Sequence, residues 1–125
     1  MDGYEKLAAM MKALGHPVRL QILDELRQEE ACVCHLEAHL GQRQAYISQQ
    51  LARLREEGLV VDRRDGMNVY YSLADDALGA VLDAAREAVL AQARAEGSDL
   101  AFRPLARNAS CPCPKCRARQ GVAVA

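Results

Sequence analysis

The sequence predicts a mainly α-helical domain with one small β-hairpin, and three observations carry that prediction. Half of the 125 residues are hydrophobic, yet only 4% are aromatic and none is Trp, which points to a core of Leu, Val, Ala and Met. Apolar residues recur every three or four positions along most of the chain, the spacing of one helix face. The exception is LVVDRRDGMNVYYSL, Leu59 to Leu73, where two β-rich runs flank the turn signal Asp65-Gly66.

Each element can be placed in order. Leu7, Met10, Met11 and Leu14 lie at helical spacing; Gly15 ends this first helix and His16-Pro17 opens a second with Pro in its first turn. The second helix runs through Ile22, Leu23 and Leu26 to about Gln28. A short third helix covers Cys32 or Val33 to Leu40 and is closed by Gly41. From Gln44 to Glu57, Ile47, Leu51 and Leu54 form an apolar stripe that leaves Gln44, Tyr46, Ser48, Gln49, Gln50 and Arg53 largely off it. Gly58 ends this fourth helix, and the hairpin pairs Leu59 to Arg64 with Asn68 to Leu73. Asp75 or Asp76 caps a last helix to about Ala95, with Leu78, Val81, Leu82, Ala85 and Val89 on one face.

Composition shifts after residue 96, so the expected division is one compact domain over 1–96 and a flexible, basic, Cys-rich tail over 97–125. Five cations and no acid follow Asp99, so the preceding residues carry −6 against the whole chain's formal charge of −1. That balance does not argue against a nucleic-acid partner, because a groove-binding face need only be locally basic. No run approaches the roughly 20 apolar residues of a membrane span, and MDGYEK lacks the basic and apolar blocks of a signal peptide. A cytoplasmic protein with reduced thiols is expected, and the odd cluster Cys32, Cys34, Cys111, Cys113 and Cys116 then reads as metal or redox thiols rather than a disulfide framework. The chain has no Cys-x-x-Cys beside a βαβ pattern, no Gly-rich phosphate loop and no acid–base cluster, so it is expected not to be an enzyme.

Two short helices joined by a tight turn, the second polar on its outer face and followed directly by a hairpin, follow the logic of a winged helix-turn-helix. The run from Met11-Lys12-Ala13-Leu14-Gly15-His16-Pro17-Val18-Arg19-Leu20 through ACVCHL, ISQQLARLREEGLV and GMNVYYSL resembles the ArsR/SmtB family of metal-responsive repressors. Cys32-Val33-Cys34 followed by Leu36 is similar to the Cys-Val-Cys-Asp-Leu thiolate box of the family's arsenic, antimony, cadmium and lead sensors, with His35 in place of Asp. The third thiol of the enteric arsenic repressors is absent; Glu37 stands there. The resemblance implies a homodimer, paired through the first and last helices, that holds double-stranded operator DNA until the inducing ion weakens its grip. A symmetric dimer sets two recognition helices about one DNA turn, roughly 34 Å, apart.

For DNA, Gln44, Ser48 and Gln49 can offer amide and hydroxyl groups to base edges, while Tyr46 and Arg53 suit phosphates. Arg63 and Arg64, near the hairpin tip, can reach a minor groove or backbone and give the salt-dependent share of binding. For the inducer, thiolates suit As(III), Sb(III), Cd(II) and Pb(II). Cys32 and Cys34 supply two, and Cys111, Cys113 and Cys116 can supply the rest by folding back within or across subunits. Residues two apart on a helix point to different faces, so bringing both sulfurs within about 2.3 Å of one centre, as in zinc thiolate sites, requires the third helix to unwind or start later. The alternatives are that Cys32 and Cys34 are small buried apolar residues, or that the thiols sense oxidants or sulfide and persulfide species. His35 and His39 lie four apart on one helical face, a spacing that can bind a metal, but on a surface helix they are expected to be solvated or paired with Glu37 or Glu30.

Overall fold

The computed structural model describes residues 2–102, and the expected thiol cluster Cys111, Cys113 and Cys116 lies outside the described residues. The chain forms α1 (Gly3–Leu14), α2 (Pro17–Gln28), β1 (Ala31–Cys32), α3 (Val33–Leu40), α4 (Gln44–Glu56), β2 (Val60–Asp65), β3 (Asn68–Leu73) and α5 (Ala77–Ala95). This is the expected winged helix-turn-helix order. Local chemistry sets the boundaries. The Asp2 carboxylate accepts from the Glu5 N–H at 2.8 Å, and His16 Nδ1 accepts from the Val18 N–H at 3.1 Å, with Pro17 opening α2 where its missing N–H costs nothing. Gly41 ends α3 at φ 66°, a left-handed conformation that favours glycine, and its N–H bonds the Glu37 carbonyl.

The sheet has the order β1-β3-β2 and is antiparallel throughout. Asp65 pairs with Asn68, leaving Gly66 and Met67 as a two-residue loop with Gly66 at φ 62°. The sequence reading anticipates only the hairpin. The third strand pairs Ala31 with Tyr71 and Cys32 with Tyr70, and two residues are too few to carry an alternating pattern.

Ile22 and Leu23 of α2, Leu36 and Leu40 of α3, Ile47, Leu51 and Leu54 of α4, and Val60 of β2 are fully buried. Each contributes about 1.5–3 kcal/mol from area removed from water, so the three central helices are fixed by one shared core. Leu78 and Leu82 add α5 to it. At the α2–α5 contact, Arg27 bonds both oxygens of Asp83 at 2.8 and 2.9 Å, and Arg86 bonds Asp24. Gly79 lies under Arg27, where a Cβ would come within 3.3 Å of the guanidinium Nε. Among the described residues, no helix is long and apolar enough to cross a membrane.

Candidate nucleic-acid interface and thiol site

With Ile47, Leu51 and Leu54 committed to the core, α4 turns Gln44, Ala45, Ser48, Gln49 and Arg53 outward. Gln44, Ser48 and Gln49 therefore share an exposed polar face that nothing else in the described residues covers, and Arg53 extends it toward the C-terminal end of α4. Arg53 stands 3.8 Å from the exposed Glu56 and 3.7 Å from the half-buried Glu57, loose pairs that a phosphate can displace at little cost.

Tyr46 is placed differently from its neighbours. It is half-buried against the core, and its hydroxyl lies 3.2 Å from His16 Nε2. Because His16 Nδ1 already accepts from the Val18 N–H, the neutral ring carries its proton on Nε2 and donates it to Tyr46. Gln50 is also tied down, its Oε1 accepting from Arg19 Nη1 at 2.9 Å, while Arg19 bonds the carbonyls of Ala13 and Lys12 at the end of α1. His16 and Arg19 thus pin α4 to the α1–α2 joint. Neither shows as a positioning residue in the sequence, because its partner on α4 lies about thirty positions away.

In the wing, Arg64 is exposed and pairs in register with Val69, and Met67 stands at the tip almost wholly in solvent. Arg63 is drawn back from the tip. Its guanidinium bonds Glu30 through Nε at 3.2 Å and Nη2 at 2.5 Å and lies over the Tyr70 ring, 4.9 Å from its centroid. The bond to Glu30 is the main reason that its pKa is raised further above the ordinary arginine value. Arg63 therefore braces β2 against the segment leading into β1, and Arg64 is the more available wing cation. Arg55 is paired with Asp62 at 3.2 Å.

Cys32 is the N-cap of α3 rather than a residue of its first turn. Its backbone is extended, φ −82° and ψ 165°, and its Sγ accepts from the His35 N–H at 3.3 Å, where other proteins place a Ser or Asp oxygen. The thiol is buried against Tyr70, and Cys34 and Ala38 pack on the same small cluster, apart from the main core. Neither cysteine is in a disulfide. Starting α3 one residue later removes the expected obstacle, since an N-cap and a second helical residue are not bound to the i, i+2 angle of a continuous helix.

His35 and His39 depart from expectation. They turn to α2 rather than toward Glu30 or Glu37: His35 Nε2 lies 3.4 Å and His39 Nδ1 3.9 Å from the same oxygen of Glu25. His35 is buried.

Residues 16–61 match the family model described as bacterial regulatory protein, arsR family. The chain is 42% identical over 76 residues to a Synechocystis protein named transcriptional repressor SmtB homolog, a match covering 61% of this chain and 58% of that protein. It is also 42% identical over 79 residues to the biofilm growth-associated repressor of Agrobacterium fabrum, covering 63% and 68%. Among solved structures, Rv0081 of Mycobacterium tuberculosis superposes with a TM-score of 0.66 at 36% identity, covering 77% of this chain and 97% of that one. Reduced HlyU of Vibrio cholerae gives 0.61 at 35%, covering 64% and 84%. A Mycobacterium bovis winged helix-turn-helix domain described as homodimeric, Mb0332, gives 0.65 at 30%, covering 79% and 90%.

Proposed function

The chain belongs to the arsR family of bacterial regulatory proteins, and on that premise we propose that it is a transcriptional repressor. In this reading it is a homodimer in a reducing cytoplasm, a binding protein and not an enzyme. It holds double-stranded operator DNA with Gln44, Ser48, Gln49, Arg53 and Arg64, and releases it when a thiophilic ion binds Cys32 and Cys34. As(III) and Sb(III) are favoured as inducers, with Cd(II) and Pb(II) as further candidates. Cys111, Cys113 and Cys116 are counted as the remaining donors.

One observation carries the reading: the two thiols sit at the cap and opening turn of α3, whose Leu36 and Leu40 share a core with Ile47 and Leu51 of α4. An ion that gathers both sulfurs acts on the helix that buttresses the DNA-reading helix. Ion and operator then favour different arrangements of α3, and the coupling is reciprocal, each lowering affinity for the other by the same factor. Fluorescence anisotropy of the reduced protein on its own upstream DNA tests this, with As(III), Sb(III), Cd(II), Pb(II) and Zn(II) added in turn. Release at near-stoichiometric ion is expected; tight binding that no ion disturbs would remove the inducer assignment.

A second reading keeps the DNA role and makes Cys32 and Cys34 redox or persulfide thiols. It is favoured by their shared cluster at a helix N-terminus and by the likeness to a protein solved in a form described as reduced. Release by oxidant or polysulfide in the absence of metal, reversed by a reductant, would distinguish it.

A further inference from the structure

Cys32 and Cys34 occupy one side of α3, against Tyr70. The neighbouring face carries a different donor set. His35 and His39 are one helical turn apart, and their rings stack with centroids 3.9 Å apart and planes 29° from parallel. Stacking sets His35 Nε2 and His39 Nδ1 side by side, directed at one carboxylate oxygen of Glu25 on α2, at 3.4 and 3.9 Å. All three donor atoms lie within 4.8 Å of one another.

Zinc sites have metal–nitrogen and metal–oxygen distances of about 2.0–2.2 Å, which for a tetrahedron set donors about 3.3–3.5 Å apart. The His35–Glu25 spacing already meets that figure. His39, a third exposed at its side chain, must come about half an ångström closer to Glu25, which a rotation of its ring supplies. Two imidazoles and a carboxylate form an open three-ligand set for a borderline divalent cation and are a poor match for As(III) or Sb(III), which seek sulfur.

We propose that Glu25, His35 and His39 form a binding site for a divalent transition-metal ion such as Zn(II), Ni(II) or Co(II), separate from the thiol site and joining α2 to α3. Water fills the remaining positions, because the site opens to solvent on the His39 side. The site is independent of the DNA-binding reading: its ligands come from the two helices that hold the core, and none belongs to the exposed face of α4.

Co(II) absorption titration of the full-length reduced chain tests the site, because nitrogen–oxygen and thiolate coordination differ in spectrum. Cobalt taken up by the thiols shows a sulfur-to-cobalt charge-transfer band; one further Co(II) per chain is expected with d–d bands and no such band. His39→Gln and Glu25→Gln should each weaken that signal by about tenfold or more, since even outer partners of metal ligands matter by that much. Their helical circular dichroism should be unchanged, and Zn(II) should raise Tm in the wild-type chain and fail to do so in either variant. Two outcomes overturn the proposal: no cobalt binding, or bound cobalt that always shows thiolate charge transfer and is indifferent to both substitutions. Neither bears on operator binding, which is read separately on DNA.

Discussion

Gln49 and Ile47 are two residues apart on α4, one exposed and the other fully buried, and that contrast separates binding chemistry from packing. Gln49→Ala removes an amide without touching the core. Specific operator binding should weaken by about 1–3 kcal/mol, the discrimination carried by a good bidentate base contact, while binding to scrambled DNA changes little. Equal losses on both DNAs, read by anisotropy at fixed salt, would reassign Gln49 to the phosphate backbone. Cys32→Ser is the matching test at the thiol site. Serine is a favoured N-cap and preserves the acceptor for the His35 N–H, so helix content and operator affinity should persist while induction disappears. A variant that still responds normally would make Cys32 a structural residue. Tyr46→Phe removes only the hydroxyl bonded to His16, and chemical denaturation should register about 0.5–1.5 kcal/mol, the usual net worth of such a bond.

At the scale of elements, the proposed DNA contacts of α4 and of the wing are held in different ways. Arg64 is exposed on β2, whereas Arg63 is held by Glu30. Arg64→Ala should therefore reduce the slope of log affinity against log salt by about 0.9, one phosphate contact's worth, and an unchanged slope would take the wing off the backbone. The ends of α1, α3 and α4 and the start of α2 are legible because Gly15, Gly41, Gly58 and Pro17 impose local backbone constraints, and the stripe Ile47, Leu51, Leu54 marks which face of α4 is buried. β1 was not legible, since Ala31 and Cys32 become a strand only by pairing with Tyr71 and Tyr70 of β3. The same cause hid the placement of Arg63, Tyr46 and His35. Glu30, His16 and Glu25 are distant or off-register in sequence: the sheet brings Glu30 to Arg63, and the crossing of α2 with α3 and α4 brings Glu25 to His35 and His16 to Tyr46. Cys32 illustrates the boundary between the two kinds of information: its motif was readable, but its role as the cap of α3 depends on where the helix starts.

Over the whole molecule, two kinds of contact remain to be joined. Within the chain, Arg27 holds the Asp83 carboxyl below its ordinary value of 3.8, chiefly through their hydrogen bonds. A depressed carboxylate pKa gives stability that is present above the unfolded value and lost as pH falls through the folded one. Asp83→Asn should accordingly lose stability at neutral pH and show a shallower decline in Tm below about pH 4, in scans by circular dichroism. Between chains, Leu7 and Met11 on α1 and Val89 on α5 are each 42–48% exposed, and they belong to the apolar faces expected to pair two protomers. A single helix-turn-helix grips one half-site, so affinity for a two-fold operator depends on a partner that holds the second recognition helix about one DNA turn away. Met11→Glu places a charge on that face without entering the core, because Ala13 and Leu14 supply the buried side of α1. Sedimentation velocity should then show a monomer with unchanged helix content, and operator binding should fall toward the level on scrambled DNA. A Met11→Glu chain that stays dimeric would move the interface away from α1, and a monomer that binds the operator undiminished would remove the need for two-fold pairing.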